Sequence, residues 1–160
     1  MSEAIHEPLI TVLLPATGPS WIESAGSVLA QTWKRWGLCL LGTPPEPGEA
    51  TERLRLDNRV FGISVDTSES QGYAAEWAAG LSVAHAASVI AFLEPGMVYE
   101  PGHLAVLADL FHPGGQIEAA VDIVYDKDRP ESPSRAAVAR RVALVAGLPE
   151  RLIRPPFAEW

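Results

Sequence analysis

Cysteine is nearly absent from this sequence: Cys39 is alone among 160 residues, so no disulfide can form within the chain. It lies in the apolar run Leu38-Cys-Leu-Leu41 and reads as a small buried hydrophobe. The four histidines, His6, His85, His103 and His112, show no metal-ligand spacing. Basic residues are scarce as well. Twelve Lys and Arg against twenty Asp and Glu give a formal charge of −8. That balance excludes non-specific nucleic-acid binding, which needs basic surface, and weakens attachment to an anionic membrane. No apolar run approaches the roughly 18 residues of a spanning helix. The segment Met1 to Pro8 has no basic region followed by an apolar stretch, so a cytoplasmic protein is expected. Neither a Gly-x-Ser-x-Gly elbow nor a phosphate-binding Gly-Lys loop occurs, and Gly72 and Gly80 are too widely spaced for a dinucleotide fingerprint.

What is present is an alternation of apolar runs and amphipathic stretches, with 48% hydrophobic residues and no internal repeat. Leu9 to Leu14 is a β-branched and leucine run stopped by Pro15, the pattern of a strand covered on both faces. Ser20 followed by Glu23 predicts a capping box for a helix from Trp21 to about Trp33, with Ile22, Ala25, Val28, Leu29 and Thr32 inward. Trp36 to Leu41 is the second strand, which completes a right-handed βαβ unit. Thr43 to Ala50 reads as a loop, Thr51 to Asp57 as a helical turn and Phe61 to Val65 as a short third strand. An alanine-rich helix is expected over Gly72 to Ala86, a further helix over Pro101 to Phe111 and another strand over Val121 to Tyr125.

The centre of the chain is Ser88 to Leu104. Ser88 to Leu93 reads as a buried strand that runs into Glu94-Pro95-Gly96, where Pro and Gly end the ladder and turn the backbone. A helix follows near Pro101, whose fixed φ suits a first turn. Glu94 is thereby placed at the carboxyl edge of the sheet, where open α/β folds bind ligands.

Three stretches resemble family 2 glycosyltransferases. They are Ile10-Thr-Val-Leu-Leu-Pro15, Ser27-Val-Leu-Ala-Gln-Thr-Trp33, and Gly72 to Leu81 leading into Ile90 to Leu104. The resemblance runs from Ile10 to Trp160 and implies a three-layer GT-A, Rossmann-like nucleotide-diphospho-sugar transferase fold with a mainly parallel central sheet. It further implies a single domain over residues 1–160, truncated on the acceptor side. Donor-binding positions carried over from the family are Pro15, Thr17, Thr43, Gly72, Trp77 and Glu94. Near the end of the chain, Phe157-Ala-Glu-Trp160 matches an acidic-aromatic motif, which makes Glu159 the candidate catalytic base.

The departures from the family lie together in the donor pocket. The family's Asp-x-Asp metal motif is Glu94-Pro95-Gly96 here, leaving Glu94 as the candidate ligand for Mn²⁺ or Mg²⁺, neither of which is expected to bind strongly. Glu100, Asp126 and Asp128 are the other carboxylates considered for that site, against the plainer reading of acidic turn residues as solvated. The acidic loop after the second strand is Gly42-Thr43-Pro44-Pro45, and the family's Arg-Asn pair is Trp77-Ala78. Trp77 reads either as core packing or as a base-stacking platform. Arg140-Arg141 reads as a solvated helix face or a phosphate contact.

Two functions follow. One is a glycosyltransferase that takes a nucleotide sugar with impaired catalysis. The other is a non-catalytic pseudo-glycosyltransferase acting as a binding, assembly or partner module. Apolar residues around Phe157 and Trp160 suggest a homo-oligomer or a protein partner.

Overall fold

The computed structural model describes residues 9–42, 48–65, 74–84, 87–112, 119–126 and 129–140, the last two segments by their backbone. Four parallel strands form the first half of one sheet: β1 (Ile10–Pro15), β2 (Trp36–Leu41), β3 (Val60–Ile63) and β4 (Val89–Phe92). Their order in space is β3-β2-β1-β4. The apolar runs Leu9 to Leu14 and Ser88 to Leu93 lie side by side, with Ile10 opposite Val89 and Leu13 opposite Phe92. Both faces of β1 and β4 are covered, which accounts for their almost wholly apolar sequences.

Beyond β4 the sheet becomes antiparallel, through β7 (Arg129–Arg140), β6 (Ala119–Asp126) and the two-residue β5 (Met97–Val98). Strand β6 covers the expected Val121 to Tyr125. Strand β7 was not anticipated, because Pro130 and Pro133 argue against a strand interior. It corrects one reading: Arg140 ends a strand opposite Val89 instead of lying on a helix face. Thr43, Gly72, Asp128, Arg141, Phe157, Glu159 and Trp160 lie outside the described residues.

Helices pack on both faces. The even-numbered side of β1 and β2 (Ile10, Val12, Leu14, Trp36, Leu38) meets α1 (Trp21–Leu29), α2 (Glu49–Leu56) and α4 (His103–Leu110) in one core. The other side (Leu13, Cys39, Leu41, Ile90, Phe92) meets α3 (Ala74–Val83). The contact with α3 is tight. A Cβ at Gly80 would come within 2.9 Å of both Leu13 methyls and 3.1 Å of Leu41 Cδ2. Cys39 is in this layer as expected, and burial pushes its thiol up to about 12.

Two local expectations fail. Ser20 is the N-cap of α1 but makes no side-chain cap bond. The reciprocal cap is found on α2, where Thr51 Oγ1 accepts from the Gly48 N–H at 2.9 Å. Helix α1 also stops at Leu29, short of Trp33, and Thr32 is exposed. Among the described residues no helix is long and apolar enough to cross a membrane.

At the amino edge the Arg59 guanidinium makes three contacts, one of them with the Lys34 carbonyl at 3.2 Å. Its guanidinium lies 3.7 Å over the Trp36 ring and grips Asp57 at 3.0 and 2.7 Å. The Arg59 bonds hold the Asp57 carboxyl below its ordinary range. This cluster closes the end of the sheet opposite the candidate site.

Candidate functional site

The site is built on the chain that leaves β4. The Glu94 carbonyl accepts from the Met97 N–H at 3.1 Å, with Pro95 and Gly96 between them. Gly96 has φ +92°, so the four residues form a type II turn, with proline at its second position and glycine at its third. A side chain at the third position would be strained, and that explains why Gly occupies it.

Helix α1 and the turn after it fix the rest of the segment with three buried or half-buried polar side chains, Ser24 and Ser27 on the helix and Gln31 just past its end. Ser24 Oγ accepts from the Gly96 N–H at 2.9 Å and lies 3.5 Å from the Glu94 carbonyl oxygen. Ser27 Oγ accepts from the Tyr99 N–H at 3.1 Å and donates to the Ser24 carbonyl at 2.6 Å. Gln31 donates to the Glu100 carbonyl at 2.7 Å and accepts from the Leu104 N–H at 2.8 Å. Thr32 N–H adds a bond to the Pro101 carbonyl at 2.9 Å. The segment therefore descends beside α1 from the carboxyl edge to the start of α4, and α1 together with Gln31 and Thr32 just after it satisfies most of its backbone groups on that side.

Glu94 is half-buried at the carboxyl edge, and burial raises its carboxyl above the ordinary range. Pro15 is buried at the end of β1, and Thr17 is exposed in the loop that follows. Trp77 is only 5% exposed and packs edge-on against Phe92, with ring centroids 5.2 Å apart. It belongs to the core layer beneath the edge.

The described carboxylates separate into two places. Glu100 is exposed, several residues below the turn, and serves Gln31 through its carbonyl. Asp126 is brought to the turn by its backbone, which pairs with Met97 in the β5–β6 ladder, while the β6–β7 ladder shifts register between Tyr125 and Asp126. Among the described residues no three His, Cys, Asp or Glu side chains converge. A divalent ion such as Mn²⁺ or Mg²⁺ takes about six oxygen ligands. Among the described side chains, Glu94 is the carboxylate at the turn, between Leu93 and Pro95.

Sequence reading missed two features. The first is the clamp. Ser24, Ser27 and Gln31 recur at intervals of three and four along α1 and the turn after it, a period that signals one polar stripe facing something buried. The second is Glu76, a carboxylate among alanines in the first turn of α3, which is 3% exposed.

A parallel half-sheet covered on both faces, with a loop-bearing carboxyl edge and an antiparallel extension beyond β4, is the fold of GT-A-type glycosyltransferases. The comparisons with solved structures agree. The mannosyltransferase PcManGT from Pyrobaculum calidifontis, solved with GDP-Man and Mn²⁺, matches with TM-score 0.59 at 12% identity, over 89% of this chain and 47% of that one. TarS of S. aureus, solved with UDP, matches with TM-score 0.56 at 14% identity, over 89% of this chain and 51% of that one. The chain thus spans about half the length of either structure. No family model matches it, and no curated protein matches it in sequence.

Proposed function

We propose that this chain is a family 2 glycosyltransferase-like domain in which sugar transfer is impaired and the carboxyl edge persists as a binding surface. The observation that carries this reading is the Glu94 turn. Pro95 and Gly96 stand where further oxygen ligands would be needed, and the type II turn leaves no side chain there to supply them. In this reading Pro15, Thr17, Thr43, Gly72, Trp77 and Glu94 border the donor region, and Glu159 is the base available to an acceptor. A nucleotide sugar is the ligand class to test, because both structural neighbours were solved with nucleotides.

The burial of Trp77 favours the second reading, a non-catalytic binding, assembly or partner module. Its indole is committed to Phe92 and the core, at a position where a phosphate-binding fork would need a free polar head. Self-association or a protein partner then follows from the apolar residues around Phe157 and Trp160. Light scattering at micromolar concentration tests this, and a strictly monomeric species removes it.

The deciding experiment is thermal melting with uridine, guanosine and thymidine diphosphates and their sugars, with and without Mn²⁺. Stabilisation follows RT ln(1 + [L]/Kd), so weak ligands at millimolar concentration shift melting little. The expected shift is near zero. A clear metal-dependent shift, abolished by Glu94→Ala, returns the chain to the working enzymes.

A further inference from the structure

The two outer strands of the sheet differ. At one end β5 is only two residues long and offers little to pair with. At the other end, among the described residues, β3 pairs with β2 alone. The carbonyls of Arg59 and Ile63 accept from the Leu38 and Gly42 N–H groups of the β2 segment, both at 2.9 Å. Backbone groups alternate in direction along a strand, so those of Val60, Gly62 and Ser64 point away from β2. The Val60 N–H turns back to the Asp57 carbonyl at 3.1 Å. Gly62 and Ser64 are exposed, and the outward row they form with the Val60 carbonyl faces solvent.

Natural proteins guard a solvent-facing edge with lysine, proline or an inward charge. Asn58 to Val65 contains no Lys or Pro, and its one charge, Arg59, is held by Asp57 at 2.7 Å. In a chain of net charge −8 this strip is neutral. It also carries an apolar ring. Phe61 is 40% exposed and lies on the Thr11 side of the sheet, its Cε1 3.8 Å from where a Cβ on Gly37 would stand. Ile63 shares that side and packs at the rim of the α3 layer.

We propose that β3 is the docking edge for a second copy of this chain, paired antiparallel about a two-fold axis through Gly62. The outward row is self-complementary about that residue. Gly62 N–H donates to the partner's Gly62 carbonyl and the bond is returned, while each Val60 carbonyl accepts from the partner's Ser64 N–H. Phe61 then stands opposite the partner's Ile63, a non-hydrogen-bonded pair in which side chains come closest. Charge favours a second copy over an unrelated strand. Helix α2, the crossover from β2 to β3, carries Glu49 and Glu52 before Arg53 and Arg55. The two-fold axis sets α2 antiparallel to the partner's α2, so the acidic start of each meets the basic end of the other. Glu52, Arg53 and Arg55 are exposed. This goes beyond the glycosyltransferase-like reading and does not rest on it, since β3 lies three strands away from β4 and the Glu94 turn.

Sedimentation equilibrium of the full chain at micromolar concentration tests this, and a dimer is expected. Gly62→Pro removes the outward N–H and leaves the bonds to β2 in place, as proline does on edge strands. Phe61→Lys puts a charge where the partner's Ile63 should pack. Each is expected to weaken association by about tenfold or more, with an unchanged circular dichroism spectrum. Should Gly62→Pro fail to fold, Phe61→Lys carries the same test. A second measurement locates the contact. The two Gly62 Cα atoms stand about 5.5 Å apart in the proposed pairing, so Gly62→Cys is expected to cross-link through a short bis-maleimide. Val106→Cys, exposed on α4, is expected to remain uncross-linked, and Cys39 is buried. A monomeric parent overturns the proposal. So does a dimer that survives Phe61→Lys unweakened, or one that Gly62→Cys does not trap, since its contact then lies on another surface such as that around Phe157 and Trp160. None of these outcomes bears on the nucleotide melting experiment, so the two readings fail separately.

Discussion

Gln31 and Leu104 are 73 positions apart in the chain, yet the Gln31 side-chain oxygen takes the buried Leu104 N–H at 2.8 Å at the entrance to α4. The same amide group gives its N–H to Glu100 at 2.7 Å and to Ser27 at 3.0 Å. One fully buried side chain thus joins the end of the first helix region to the start of the last described helix.

Gln31→Leu keeps the volume and removes all three bonds. It leaves the Leu104 N–H and the Glu100 carbonyl without their partner, and an unsatisfied buried group costs about 1–3 kcal/mol. We expect a loss of about 2–3 kcal/mol, read from the urea midpoint at unchanged slope. A loss below about half a kcal/mol would show that water replaces the amide.

Gly96→Ala tests the turn. With φ at +92°, an added Cβ opposes the backbone, although the nearest atom, Ser20 Cβ, is 3.6 Å away and leaves room. The effect is conformational, about 1–2 kcal/mol of lost stability. Pro95→Gly should cost less, about 0.4–1 kcal/mol, because it acts by freeing the unfolded chain while the strain belongs to position 96. Thermal melts of both variants decide this.

The pH dependence should carry the mark of Glu94. Burial raises its folded pKa above the ordinary 4.5, so the folded chain holds this proton more tightly than the unfolded chain. Its contribution to stability is complete below the unfolded pKa and is lost as pH rises through the folded one. Glu94→Gln does not titrate and should remove that part of the decline. Urea midpoints of parent and variant, taken from about pH 4 to about 8, are expected to converge at the acid end and separate above the folded pKa, the variant being more stable.

Gly80→Val tests the fit of α3 to the sheet. The new side chain meets Leu13 at 2.9 Å and Leu41 at 3.1 Å, in a layer that also contains Trp77 and Phe92. Overpacking of this kind costs about 1–3 kcal/mol. A variant as stable as the parent would mean that the Leu13 methyls turn aside freely.

The parallel half of the fold was legible because its strands are largely apolar runs, and Leu9 to Leu14 and Ser88 to Leu93 match β1 and β4 within a residue at either end. Leu104, Leu107, Leu110 and Phe111 recur at helical spacing, and of these Leu104, Leu107 and Phe111 are buried while Leu110 is half-buried. Strand β7 was hidden by its two prolines, which local propensity scores against a ladder while long-range pairing with β4 and β6 overrides it. The turn at Glu94 was visible in Pro95-Gly96 itself. The clamp from α1 was not, because its partners lie some seventy residues away. Glu76 gave no local signal either: the same letter is most often a solvated helix-start carboxylate, and only burial separates the two cases.

The antiparallel extension has a consequence for how the chain is made. Strand β7 enters the sheet between β4 and β6, so the middle of the sheet is closed by the last described segment to be synthesised. Until residues 129–140 have left the ribosome, β4 offers one row of unpaired backbone groups beside its completed ladder with β1. Such a row is a template for any extended segment nearby. A nascent chain halted before Arg129 therefore carries an open seam through its centre, and the seam is sealed by chain growth alone.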